Sequence, residues 1–308
     1  MMRGMLLAAS QNRWLRERAP RLAFVRRAVR RFMPGEHLDA ALAAARELQS
    51  RGVGTVLTQL GEDLGAPQEA DAVREHYRAL LRRVRQDGVD VEISVKPTQL
   101  GLGWSGDVCA DNLLALAGEA AALGRWLWVD MESTAYTEAT LDLVRGVRAR
   151  HHNLGVCVQA YLYRTPADLD ALIRLGAGVR LVKGAYREPA DKAYPRKKDV
   201  DEAYFALARR LLGAEARAAG VRAIFGTHDP ALIARIEAHA REAGLGPAAL
   251  EFQMLYGIRP REQARIAAAG HRFRVLISYG EAWFPWYMRR LAERPANVAF
   301  VVRSLFAR

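Results

Sequence analysis

Eight short β-forming runs alternate with helical segments between residue 53 and residue 293, and few folds accept that pattern. The runs read VGTVLTQLGE (53–62), VDVEISVK (89–96), RWLWVDME (125–132), LGVCVQAY (154–161), GVRLVKGAY (178–186), VRAIFGTH (221–228), ALEFQMLY (249–256) and HRFRVLISY (271–279). Each is rich in β-branched and aromatic residues, and seven Ala/Leu/Arg-rich segments of helical period separate them, among them 68–87, 107–123, 137–150 and 229–243. Parallel strands need crossovers of about that length, about a dozen residues or more. A final helix is expected from about 282 to 293. Strict alternation predicts a parallel sheet, and eight units in 308 residues favour closure into an α/β (β/α)8 barrel over an open, doubly wound sheet. The domain reading is an N-terminal helical arm over 1–50 and a barrel over 51–308.

Hydrophobic residues make up 51% of the chain and charged residues 26%, enough apolar material to fill a core and too much for a disordered scaffold. No apolar run reaches membrane-spanning length, and the apolar block within 1–10 is too short for a secretory signal. Cys109 and Cys157 are the only cysteines and form no CxxC pair, so neither a disulfide framework nor a structural metal is expected. A cytoplasmic protein fits. The net charge is +12, but residues 1–34 hold nine Arg against the single Glu17, so the body is only mildly basic. Trp14, Leu15, Leu22, Phe24, Val25, Val29 and Phe32 interleave with those arginines. Two readings stay open: a helical arm packed on the domain, or an amphipathic arm lying on the inner face of the cytoplasmic membrane. Nothing in the arm matches a nucleic-acid-binding motif, and no nucleic-acid partner is expected.

In such barrels the C-terminal strand ends build the site, because the loops that follow them surround one mouth. Those ends offer Glu62, Lys96, Asp130 with Glu132, Gln159 with Tyr161, Arg180 with Lys183, Thr227 with His228, Gln253 and Tyr279. Any one of them could be a solvated loop residue; together, around one mouth, they point to an enzyme. Lysine is scarce among the 46 basic residues, yet Lys96 and Lys183 both stand at strand ends. With Arg180, Arg289 and Arg290 they could hold a diphosphate and a carboxylate together. Glu293 follows Arg289 by one helical turn, so a guanidinium and a carboxylate are available to a zwitterion. The segment 187–200 is the one long irregular link and lies on the mouth side. GLGWSG (101–106) is a literal GxGxxG, but four residues separate it from its strand, which suits a glycine-rich barrel loop better than a dinucleotide fingerprint.

RLVKGAY (180–186), GTHD (226–229), EFQMLYG (251–257) and VLISYGEAWFPWYMRRLAERPAN (275–297) together resemble the monofunctional bacterial proline dehydrogenases. The resemblance runs from residue 60 to the C-terminus. It implies a distorted barrel that binds FAD at the strand ends, with the last helix over the mouth. It implies a reaction as well: L-proline is oxidised to Δ1-pyrroline-5-carboxylate by hydride transfer from C5 to flavin N5. Electrons would pass to membrane quinone, and a separate Δ1-pyrroline-5-carboxylate dehydrogenase would take the product. By the same resemblance Lys96, Tyr279, Arg289, Arg290 and Glu293 would bind proline, Tyr279 packing on its ring. Met131, Gln159, Arg180, Lys183, Gly184, Ala185, Thr227 and His228 would contact the flavin, Asp130 and Arg180 would act at the reacting centre, and Glu62 would help close the site. Arg187 stands where some relatives carry an aromatic, so no stacking on the adenine is carried over. The alternatives are a hydroxyproline dehydrogenase, disfavoured by the bulk of Tyr279, a nicotinamide-dependent dehydrogenase, and a noncatalytic basic binding protein.

Overall fold

The computed structural model describes residues 12, 18, 25, 29–61, 64, 66–186 and 188–293, with side chains to 288. Every predicted run contains a strand: β1 (Gly54–Gln59), β2 (Val91–Val95), β3 (Leu127–Val129), β4 (Leu154–Gln159), β5 (Gly178–Val182), β6 (Ala223–Gly226), β7 (Glu251–Leu255) and β8 (Arg272–Tyr279). The eight strands pair in parallel and in sequence order, and β8 pairs with β1 from Gly54↔Arg274 to Gln59↔Tyr279, closing the barrel. The strands are shorter than the runs because the residues at the ends of each run leave the ladder.

Helices return the chain between strands. After α1 (Leu38–Gln49) come α2 (Gln68–Asp87), α3 (Gly106–Ala121), α4 (Thr137–Arg148) and α5 (Thr165–Arg174), then α6 (Lys197–Leu211) with the short α7 (Ala214–Ala218). Then follow α8 (Pro230–Glu242), α9 (Pro260–Ala268) and α10 (Trp283–Glu293). Local chemistry sets their ends. Gly88, at φ 62°, stops α2 in the left-handed conformation and returns its N–H to Val84. The GLGWSG segment is likewise punctuation: Gly101 at φ 104° ends a 3-10 turn after β2, and the Ser105 hydroxyl accepts the Val108 N–H to cap α3.

Outward-facing strand residues such as Ile93, Val95, Leu127, Val129, Val179, Leu181 and Phe252 pack against the helices in one continuous core. Burial of each such side chain is worth about 1.5–3 kcal/mol. The inner face is different. Near the N-terminal strand ends Arg222 bonds Glu92 at 2.7 Å and Glu251 at 2.6 Å, and Arg274 lies 3.3 Å from Glu92. Above these charges Trp126 and Trp128 stack at 5.6 Å, with Trp128 Nε1 donating to Glu92 at 2.7 Å. Gly155 and Gly178 make room for the rings: a β-carbon would lie 2.3 Å from Trp128 and 2.5 Å from Trp126, respectively. The barrel interior is therefore a filled column.

Residues 29–33 of the arm pack on α10. Val29, Phe32 and Met33 form one apolar cluster with Leu60, Trp283, Phe284, Trp286 and Tyr287, and Trp283 Nε1 donates to Glu36 at 2.8 Å. Leu60 and Ile258 follow β1 and β7, so α10 rests at the C-terminal rim. This part of the arm is packed on the domain; most of residues 1–28 lie outside the described residues. Among the described residues no helix is long and apolar enough to cross a membrane.

Glu92 is 2% exposed and accepts from Arg222 and Trp128, so Glu92→Ala leaves Arg222 to Glu251 and strands the buried Trp128 N–H without its acceptor. Leaving a buried donor without its acceptor costs about 1–3 kcal/mol. Urea unfolding should show a loss of that size, and a loss under about 1 kcal/mol would contradict the role given to the column.

Candidate active site

At the other end of the barrel the strand ends surround a cavity of about 510 Å³. Strand β3 contributes Asp130 and Met131, β4 Cys157 and Gln159, β5 Arg180 with the turn 183–186, β6 Thr227 to Asp229, β7 Gln253 to Leu255, and β8 Leu276. Lys197, at the start of α6, completes one side.

Arg180 and Asp130 form the charged floor. Arg180 is the third residue of β5, three before Lys183, and is 3% exposed, so it rises from inside the barrel instead of from the strand end where the sequence reading put it. Its Nη2 donates to Asp130 Oδ1 and, at 2.9 Å, to the Ser94 hydroxyl, which itself donates to Asp130 at 2.8 Å. Its Nη1 reaches Gln253 Oε1 at 3.3 Å, and Lys96 Nζ stands 3.5 Å from Asp130 Oδ2. Burial alone would push the Asp130 carboxyl up, but the Arg180 and Lys96 charges overcome it and hold Asp130 below the usual carboxylate range. Asp130 is thus a carboxylate at neutral pH, and Arg180 keeps its proton despite burial because Asp130 faces it. Burial pushes the neighbouring Cys157 thiol up, toward its protonated form.

Two glutamines line the wall with fixed orientations. Gln159 Nε2 donates to the Met131 and Glu132 carbonyls at 3.3 and 3.2 Å, leaving Oε1 buried without a protein partner. Gln253 Oε1 accepts from Arg180, leaving Nε2 equally without one. Buried polar atoms without partners are uncommon, and here one acceptor and one donor belong to the lining of one cavity, as a heterocycle with mixed donors and acceptors requires. The turn after β5 is shaped by Gly184, at φ 111°, where a β-carbon would lie 2.3 Å from the Tyr161 ring. His228 Nε2 accepts the Leu255 N–H at 2.9 Å, which puts the proton of the neutral ring on Nδ1. These features fit a flavin dinucleotide.

The structure modifies several expectations. Lys183 is not a bare cation: its Nζ bonds Asp201 at 2.5 Å and Asp229 at 2.9 Å, and Lys197 shares both carboxylates. Tyr279 is not brought to the cavity. It ends β8 facing α2, its hydroxyl 2.7 Å from His76 Nε2 and its ring 5.6 Å from the imidazole, because alternation along the strand sends Leu276 inward and Tyr279 outward. The steric case against hydroxyproline built on Tyr279 therefore has no footing. Glu132 is buried against Thr98, accepting its N–H at 3.0 Å and its hydroxyl at 2.7 Å, and serves the turn after β2. Glu62 and the side chains of Arg289, Arg290 and Glu293 lie outside the described residues. Sequence reasoning missed Ser94, Cys157, Lys197 and Leu276. The first two stand two residues before Lys96 and Gln159, so period-two alternation from those positions was the available signal.

The Lys183 contact draws Asp229 down, against the opposing push of burial, to about 2. A depressed carboxylate contributes stability above its unfolded value and loses it as pH falls through the folded one. The stability gap between wild type and Asp229→Asn should thus be full above about pH 4 and narrow as pH falls toward about 2. Denaturant titrations across that range check it, and a gap that stays constant down to about pH 3 counts against the pairing.

Comparison with known proteins agrees with this geometry. Residues 41–303 match the family described as proline dehydrogenase. The chain is 34% identical over 305 residues to proline dehydrogenase 1 of Bacillus subtilis (strain 168), covering 99% of each protein. It is 35% identical over 282 residues to the proline dehydrogenase of Deinococcus radiodurans, covering 89% of each. Among solved structures, proline utilization A from Bdellovibrio bacteriovorus inactivated by N-propargylglycine superposes with a TM-score of 0.80 at 25% identity, over 87% of this chain and 33% of that one. A match across most of the chain, relatives above the 30% level over nearly its full length, and a shared barrel lead to one assignment: the chain belongs to the proline dehydrogenase family.

Proposed function

We propose that this chain oxidises L-proline to Δ1-pyrroline-5-carboxylate using FAD bound in the cavity at the strand ends. The observation that carries the reading is buried Arg180 paired with Asp130, set beside two glutamines with partnerless polar atoms, in a chain of this family. Gln159 Oε1 and Gln253 Nε2 would meet the edge of the heterocycle, with Met131 and Leu276 as apolar contacts. The turn 183–185, Thr227 and His228 would hold the ribityl and diphosphate part. When bound, FAD supplies the two-electron acceptor for the C5–H bond of proline.

The chain's own residues would prepare that bond. Lys96, Arg289 and Arg290 would hold the substrate carboxylate, and Glu293 would face its amine. A cationic pocket disfavours the ammonium form, and the unprotonated nitrogen can then stabilise the cation developing at C5. Arg180, kept charged by Asp130, would lie where negative charge accumulates. Asp130 is a carboxylate already committed to Arg180, Ser94 and Lys96, so its part is to orient those groups and not to take a proton. Glu62 would help close the mouth. Residues 51–308 would form the catalytic barrel and 1–50 the arm, whose arginines suit the anionic surface of a membrane holding quinone as the onward acceptor. A separate dehydrogenase would oxidise the product.

Anaerobic addition of L-proline to the flavin-loaded protein should bleach the flavin bands, and other amino acids should not. Bands that persist, or bleach better with hydroxyproline, would overturn the substrate assignment. Replacement of both Arg289 and Arg290 by Ala should raise KM for proline by about 100-fold or more, since charged hydrogen bonds to a bound carboxylate contribute about 1.5–3 kcal/mol each. Gly184→Ala should cost flavin occupancy while the barrel still folds, because the β-carbon displaces the cavity wall against Tyr161. Far-ultraviolet circular dichroism and the flavin-to-protein absorbance ratio measure the two effects.

A further inference from the structure

We infer that Trp128 is a positioning residue for the reaction: its ring fixes the height and direction of the Arg180 guanidinium beneath the cavity. The inference rests on the reading above, in which Arg180 serves the reacting centre. Arg180 Cζ lies 5.6 Å from the Trp128 ring, and Arg222 Cζ approaches the same ring at 5.3 Å from the N-terminal end of the barrel. The indole is held in three ways. Its Nε1 donates to Glu92 Oε2 at 2.7 Å, Trp126 stacks on it with planes 18° apart, and Gly155 leaves room on β4 for its edge.

Arg180 has a long side chain whose guanidinium meets Ser94, Asp130 and Gln253 through its N–H groups while its Cζ lies over the Trp128 ring. A cation over an indole face is attracted by about 0.5–2 kcal/mol and resists closer approach, so Trp128 adds a steric limit to the position those hydrogen bonds set. Glu92, by fixing the indole, connects the ionic cluster at the barrel floor to the cavity. A displacement of about 1 Å in a catalytic group can cost about 100-fold in rate, so a small change in ring size should register.

The test uses flavin-loaded Trp128→Phe, Arg180→Lys and the double variant, with kcat, KM for L-proline, and the absorption maximum and midpoint potential of the bound flavin. Trp128→Phe should lower kcat about tenfold with KM held within about twofold and should shift the potential. In the Arg180→Lys background the same change should add no further loss, because the group it positions is already altered. A smaller probe, Trp128→Leu, should lose more than Phe. Wild-type kcat and potential in Trp128→Phe, or losses that multiply with those of Arg180→Lys as a general weakening of the fold would give, overturn the inference. Wild-type behaviour of Arg180→Lys itself overturns the reading beneath it, and the two failures are thereby told apart.

Discussion

The ion pair between Arg180 and Asp130 is the interaction on which the rest of the interior depends. A guanidinium 3% exposed inside a barrel is tolerable only if every charge around it is paired, and the chain pairs it with one carboxylate, one hydroxyl and one amide. The pairing keeps both partners ionised across the neutral range. It also engages the Ser94 hydroxyl as both donor and acceptor and draws Lys96 toward Asp130, so the floor of the cavity is a preorganised set of charges and not a group of independent side chains.

That floor needs support from below. The column of Trp126, Trp128, Arg222, Glu92 and Glu251 fills the barrel with aromatic faces and neutralised charge where branched aliphatic residues are usual. Two consequences follow. Stability and site geometry share residues, since Glu92 anchors both the ionic cluster and the indole under Arg180. Small residues on neighbouring strands become obligatory as well, because Gly155 and Gly178 occupy the volume that the rings claim.

Along the chain, alternation and turn chemistry made the eight strands legible, and the strand ends with the family resemblance made the cavity legible, since Gln159, Lys183, Thr227 and His228 all line it. What stayed hidden depends on which way a side chain faces. Tyr279 reads as a strand-end polar residue, yet the parity of β8 turns it to His76 and leaves Leu276 to face the cavity. Lys183 reads as a free cation, yet residues 18 and 46 positions later meet it with carboxylates. Trp128 reads as one more apolar strand residue, because its two arginine neighbours come from β5 and from the residue before β6.

By itself the sequence determined the number and order of the βα units, the parallel sheet, the punctuation of its turns and the residues gathered at the strand ends, because periodicity and local propensity are properties of neighbouring residues. Only the tertiary structure decided that the barrel interior is an ionic and aromatic column, that Arg180 rises through it to the cavity, and that Tyr279 leaves it. Those outcomes depend on strand parity and on contacts between residues as far apart as Glu92 and Arg222, which meet only when the barrel closes.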